Sequence, residues 1–153
     1  MKRKFNRIFF ICCFIFTTMS IAVKAQDAPT INHIALYVHD LKKSADFYKN
    51  VMQLKEVPEP FKDGKHVWLQ IGTNSHLHLI EGAKAITQHD INAHLAFRVN
   101  MLTHFIANLD KWKVNYRSWQ GAEKSITTRT DGVKQIYLQD PDNYWIEVND
   151  EKN

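Results

Sequence analysis

The chain has 153 residues, with 20 basic against 16 acidic side chains, a formal net charge of +4, two cysteines and eight histidines. Lys2, Arg3, Lys4, Arg7 and Lys24 account for five of the basic residues, and no acidic residue precedes Asp27, so a chain without its first 25 residues carries 15 basic against 16 acidic groups. The surplus positive charge therefore belongs to the leader and gives no grounds for nucleic-acid binding.

That leader pairs its basic start with an apolar run over residues 8–23 and the small-residue pattern Val23-Lys24-Ala25. It reads as a signal peptide over residues 1–25, cleaved after Ala25, so the mature protein is expected to be periplasmic or secreted. The run is short for a membrane span and is interrupted by Thr17, Thr18 and Ser20, so no membrane association is expected once it is removed. Cys12 and Cys13 leave with the leader. The mature chain then has no thiol, hence no disulfide framework and no cysteine-ligated zinc. All eight histidines remain.

Residues 30–150 read as one domain made of two copies of a single module, residues 30–82 and 91–150. An alternating strand over residues 31–38 superimposes on residues 91–99 when His33 is placed over His94, a shift of 61 that also matches Ala35 to Ala96, Val38 to Val99 and Leu41 to Leu102. A helix follows over residues 41–52, N-capped by Asp40, with Leu41, Ala45, Tyr48 and Met52 on one face. Its counterpart spans residues 102–112, with Leu102, Phe105, Ile106, Leu109 and Trp112 aligned. Trp68-Leu69-Gln70-Ile71 then aligns with Tyr137-Leu138-Gln139-Asp140 at a shift of 69, which places His78 over Glu147. Turns at Gly72-Thr73-Asn74 and Pro141-Asp142-Asn143 close a hairpin in each copy. The eight extra residues fall between the second helix and its third strand, in a segment that includes a polar linker over residues 121–132. Each copy is thus βαβββ, and the expected fold is α+β: two modules related by a pseudo-twofold, whose curled mixed sheets form a cleft.

Two positions of the repeat are each filled twice by a metal-capable side chain: His33 and His94, then His78 and Glu147. Imidazole and carboxylate suit Zn, Ni, Co, Mn or Fe, and a pseudo-twofold could aim all four at one divalent ion.

The segment Asn32-His33-Ile34-Ala35-Leu36-Tyr37-Val38-His39-Asp40-Leu41 resembles the opening strand of glyoxalase I and its relatives. Ser44-Ala45-Asp46-Phe47-Tyr48 is similar to that family's first helix, and Ala93-His94-Leu95-Ala96-Phe97 to the start of its second module. Asp140-Pro141-Asp142-Asn143-Tyr144-Trp145-Ile146-Glu147 is similar to its closing hairpin. The resemblance is to the vicinal-oxygen-chelate superfamily, which includes glyoxalase I, methylmalonyl-CoA epimerase, extradiol dioxygenases, fosfomycin-resistance transferases and metal-free bleomycin-binding proteins. It implies the fold more strongly than the reaction. It also implies His33, His94 and Glu147 as ligands, with His78 where bacterial glyoxalase I has a second glutamate.

The resemblance implies an exported, metal-dependent lyase or isomerase of glyoxalase type. Such an enzyme would chelate a small oxygenated substrate and stabilise an enolate-type intermediate, with Glu147 or His78 moving the proton. The alternatives are a ring-cleaving Fe(II) dioxygenase using His33, His94 and Glu147, and a non-catalytic resistance protein that sequesters its ligand. Arg98 and His76 share strand faces with His94 and His78 and are candidate substrate-binding residues. Glu81 alternates to the face opposite His78 and is set aside. Tyr37, Trp68, Tyr137 and Trp145 are candidate cleft walls, with ordinary core the expected role, and His39, His66, His89 and His104 are expected as surface residues. Single-domain relatives often pair modules between two chains. A homodimer is accordingly expected, with His33 and His78 from one subunit and His94 and Glu147 from the other; intrachain pairing would satisfy the repeat equally.

Overall fold

The computed structural model describes residues 28–152; the signal peptide expected over residues 1–25, with its two cysteines, lies outside them. Among the described residues no helix is long and apolar enough to cross a membrane.

The first module runs β1 (His33–Val38), α1 (Leu41–Asp46), β2 (Lys55–Val57), β3 (His66–Gln70) and β4 (His76–Glu81). The second runs β5 (His94–Arg98), α2 (Leu102–Trp112), β6 (Thr127–Thr128), β7 (Lys134–Gln139) and β8 (Trp145–Asn149). Both form a four-stranded mixed sheet of the same order, β1-β4-β3-β2 and β5-β8-β7-β6. In each, the first and last strands pair in parallel and the remaining pairs are antiparallel. The shift of 61 maps the start of β1 onto β5 and of α1 onto α2, and the shift of 69 maps the start of β4 onto β8. The duplication read from the sequence is therefore the architecture.

Alternation decides which face of each sheet meets the core. Leu36 and Val38 of β1, Leu69 of β3 and Leu77 and Leu79 of β4 are buried, as are Ile136 and Leu138 of β7 and Ile146 and Val148 of β8. They join Leu41, Ala45, Tyr48, Leu102 and Leu109 from the helices in one continuous apolar cluster shared by both modules. The residues between them in each strand stand on the other face of their sheet.

The first helix departs from the uniform helix expected over residues 41–52. Asp40 caps it as anticipated, accepting from the Lys43 backbone N–H at 2.9 Å. Beyond Asp46 it widens into a π-turn over Phe47–Val51, closed by the Met52 N–H donating to the Phe47 carbonyl at 3.2 Å. The widened turn keeps Tyr48, Val51 and Met52 buried together, and the Tyr48 hydroxyl donates to Asp140 at 2.9 Å.

That bond is part of a polar tie between the modules. Asp140 also accepts from the backbone N–H groups of Asp142 and Tyr144, at 2.9 and 2.8 Å. Asp142 accepts from the His39 N–H at 2.7 Å and the Ser44 hydroxyl at 2.6 Å. The β7–β8 hairpin of the second module thereby fastens to the start of α1 in the first, through side chains that are almost wholly buried. Buried carboxylates are tolerable here because each oxygen is hydrogen-bonded.

Burial pushes the Asp140 carboxyl up to about 6 from an ordinary 3.8, against the opposing pull of its hydrogen bonds to Tyr48 and the two backbone N–H groups. The folded state then binds more protons than the unfolded chain between those values, so this residue's contribution to stability is greatest below about pH 4 and declines as pH rises toward 6. Asp140→Asn places an N–H toward Tyr48 and mimics the protonated form. It is expected to flatten the slope of melting temperature against pH between 4 and 6 relative to wild type, measurable by calorimetry.

Candidate metal-binding site

All four proposed ligands stand on sheet faces turned away from the shared core, and the register explains how they meet in pairs. Ala35 lies opposite His78 across β1–β4, and Ala96 lies opposite Glu147 across β5–β8. A methyl group at each position leaves room for the diagonal neighbour, two residues back along the strand, to lean over. His33 thus stacks on His78, with ring centroids 4.3 Å apart and planes 7° from parallel. His94 Nε2 comes to 3.5 Å from Glu147 Oε2. The structure forms these two pairs, one per module, and among the described residues it gathers no three His, Cys, Asp or Glu side chains that could hold one ion. Within a single chain the four do not converge.

Each half-site presents electron-pair donors to its open face. His94 Nδ1 lies 2.7 Å from the Ile91 carbonyl, and His33 Nδ1 lies 2.9 Å from Asn32 Oδ1. Those oxygens only accept, so Nδ1 carries the proton on both rings and Nε2 presents its lone pair. His94 Nε2 and Glu147 Oε2 then face each other as two electron-pair donors. Bonds of roughly 2.0–2.2 Å to a shared Zn²⁺ would hold two neighbouring donors about 3–3.5 Å apart, which is the separation found. His78 Nε2 is buried without a hydrogen-bond partner. Burial, reinforced by His33, His76 and His66, lowers its imidazole below the ordinary value and favours the neutral form a metal requires. The four residues fit a divalent metal in chemistry and in local geometry.

Behind Glu147 lies a network that alternation alone did not identify as functional. The Tyr137 hydroxyl donates to Glu147 Oε2 at 2.6 Å and Asn149 Nδ2 donates to Oε1 at 2.8 Å. Gln135 Nε2 donates in turn to the Tyr137 oxygen at 2.5 Å. Burial and the neighbouring carboxylate push the Tyr137 hydroxyl well above its ordinary value, so it remains a donor throughout the accessible range. Gln135, Tyr137, Glu147 and Asn149 are all buried, on the same face of β7 and β8. The signal in the sequence was there: positions two residues either side of a ligand, or directly across from it, hold side chains with hydrogen-bonding ends.

Several expectations need correction. Tyr137 and Trp145 are buried, as expected of core residues, and Trp68 is half-buried, but all three and Tyr37 stand on the histidine faces, outside the apolar cluster and where cleft walls would be. Trp68 stacks on His78 at 4.0 Å and 3°, making a continuous row of rings with His33. Tyr37 is exposed. His66 is on the same face, half-buried, hydrogen-bonded to Asp63 at 2.9 Å and packed against Phe61. His89 stacks on Tyr144 at 4.1 Å. His39 and His104 are exposed as anticipated. His76 lies beside His78, with ring centroids 6.2 Å apart, and Arg98 is exposed at the end of β5, opposite Asn149. Glu81 turns to the other face, with an oxygen 3.5 Å from the Leu41 N–H at the start of α1.

The paired βαβββ sheets, with metal-capable side chains at equivalent places, define a class of protein before any comparison is made. The chain belongs to the Glyoxalase/Bleomycin resistance protein/Dioxygenase superfamily, which it matches over residues 30–148. No curated protein sequence matches it. Among solved structures it is similar to the oxidase ChaP-H2, at 22% identity and a TM-score of 0.68, covering 82% of this chain and 96% of the other. A glyoxalase/dioxygenase from Nostoc punctiforme is similar at 22% identity and a TM-score of 0.66, covering 86% and 100%. A lactoylglutathione lyase from Agrobacterium tumefaciens gives 19% identity and a TM-score of 0.61, covering 82% and 96%. At these identities the structural likeness speaks to the fold alone.

Removing the Tyr137 hydroxyl would leave Glu147 Oε2 one donor short and the Gln135 amide without its acceptor. Tyr137→Phe is expected to destabilise the protein by about 1–3 kcal/mol, the cost of unsatisfied buried polar groups, read as a lower urea midpoint at unchanged slope.

Proposed function

We propose that this protein is an exported, metal-dependent enzyme of glyoxalase type, a lyase or isomerase, whose complete site forms between two copies of the chain. The observation that carries this reading is the pair of prepared half-sites: His33 with His78 on one sheet, His94 with Glu147 on the other, each on an open face and separate within the chain. A twofold dimer would bring the first half-site of one copy to the second half-site of its partner, and would do so twice.

In that assembly His33, His78, His94 and Glu147 would hold a divalent ion, which would supply Lewis-acid stabilisation of charge developing on neighbouring oxygens of a small substrate. The chain's own residues provide the proton chemistry. Glu147, oriented by Tyr137 and Asn149, would take a proton from a carbon next to a carbonyl once displaced from the ion, and His78, an imidazole stacked between His33 and Trp68, would do so with its Nε2 off the ion. His76 and Arg98 lie along the same faces and would line the rim. The superfamily's glyoxalase members support a reaction of this class. Export rests on the basic and apolar leader over residues 1–25, so glutathione is not assumed as part of the substrate.

Complementation tests the shared site directly. His33→Ala and Glu147→Gln chains, purified without the leader, are each expected to lose the bound divalent metal measured by elemental analysis. Refolded together, they form heterodimers in which one site carries both changes and the other carries neither, so metal binding returns. No recovery in verified heterodimers would defeat interchain pairing. Wild-type protein that binds no divalent ion would defeat the metal reading itself. Iron retained in anaerobic preparations, with oxygen consumed in the presence of a catechol, would favour ring cleavage over isomerisation.

A further inference from the structure

The segment between α2 and β6 does more than link the helix to the sheet. Arg117 forms a two-way backbone bridge with Tyr137, its N–H donating at 2.8 Å and its carbonyl accepting at 2.9 Å. It therefore extends the sheet beyond β7 on the side where β6 also pairs. On its other side Arg117 bridges Glu123 through a tight loop. In the first module the residue opposite Trp68, the counterpart of Tyr137, is Val57. The second module thus sets a guanidinium where the first has an aliphatic side chain.

Antiparallel pairing with Tyr137 puts the Arg117 side chain on the same sheet face as Tyr137, Trp145 and Glu147. Its guanidinium carbon lies 4.3 Å from the centre of the Trp145 ring. Trp145 is opposite His94 across β5–β8. Among the described residues no carboxylate forms an ion pair with Arg117, and its Nε is buried with no hydrogen-bond partner. A buried N–H left without an acceptor calls for a ligand or water to supply one. The group lines a cavity of about 360 Å³, together with Glu123, Tyr137, Gln139, Asn143 and Trp145.

We infer that Arg117 and this cavity form a binding site for the carboxylate of a small, planar organic acid, next to the His94–Glu147 half-site. Stacking on Trp145 covers one face of the guanidinium and fixes its plane. The edge carrying Nε then remains to donate two parallel hydrogen bonds to a carboxylate. A single cation with Glu123 and Asp140 also on the cavity wall suits a monoanion better than a phosphate dianion, and aromatic walls suit a flat acid. The site extends the proposed function by naming a substrate class, and rests on that reading only in taking the bound acid to be the substrate.

Binding can be measured on metal-free protein, so its outcome is independent of the metal site. In protein labelled with ¹⁵N, benzoate is expected to shift the Arg117 Nε–H resonance saturably, while neutral benzamide and inorganic phosphate leave it in place. Arg117→Met should weaken benzoate binding at least about tenfold, the scale of a lost charge-assisted pair. Arg117→Lys, which keeps the charge and serves if the methionine variant does not fold, should lose most of that affinity because the fork is gone. Glu123→Gln should strengthen binding by removing a like charge. No saturable benzoate binding, equal affinity in both Arg117 variants and wild type, or phosphate binding as tightly as benzoate would overturn the assignment. So would a Glu123→Gln change that shifts the Nε–H by itself and abolishes binding, the signature of an internal ion pair.

Discussion

A β-strand offers its side chains alternately to two faces, and this protein puts each face of its two sheets to a different use. Leu77 and Leu79 go into the core while His76 and His78 do not; Ile146 and Val148 go in while Glu147 and Asn149 do not. A one-residue slip of either strand would bring imidazole or carboxylate into an apolar cluster and turn leucine outward. Both errors are costly, so the register that forms the core is also the register that assembles each half-site. The small residues Ala35 and Ala96 complete the arrangement, since they allow diagonal neighbours to approach across the parallel strand pairs.

Holding the modules together is a different matter. The apolar cluster is continuous between them, but direction comes from Asp140 and Asp142, which bind the second module's hairpin to Tyr48, Ser44 and the His39 backbone in the first. A carboxylate removed from water demands donors in fixed places, which makes such a tie specific where apolar packing alone would tolerate sliding. The modules are joined through α1 and the β7–β8 hairpin, and the metal-capable faces lie away from that junction.

The site itself shows graded preparation. His33 and His94 have their tautomers fixed by acceptors at Nδ1, and Glu147 has its orientation fixed by Tyr137 and Asn149. His78 is restrained by stacking between His33 and Trp68. The repeat supplies the donors in equivalent places, but the surroundings have diverged: the first module backs its pair with aromatic and imidazole rings, the second with a chain of hydrogen bonds. Glu147, the one carboxylate of the four, is on the side with the hydrogen-bond donors.

The internal repeat was legible from residue order, because it requires only that apolar alternation and turn residues recur at constant offsets. The two modules and the equivalent placing of the metal-capable quartet followed from it. The Asp40 cap and the rejection of Glu81 followed from capping preference and strand alternation. The first strand of each module begins two or three residues later than the alternation suggests. Tyr137 and Trp145 are buried beside the ligands rather than in the apolar cluster, and Trp68 and Tyr37 lie outside it too, because an aromatic in an alternating strand reads alike on either face. Arg117 was passed over because its segment lacks strand periodicity and gains its place only by pairing with Tyr137, twenty residues away. Sequence by itself determined which residues share a face, since covalent geometry enforces that locally. Tertiary structure alone decided that the quartet divides into two pairs within the chain, because distances between separate sheets are set by packing and by the Asp140–Asp142 tie, and no local rule contains them.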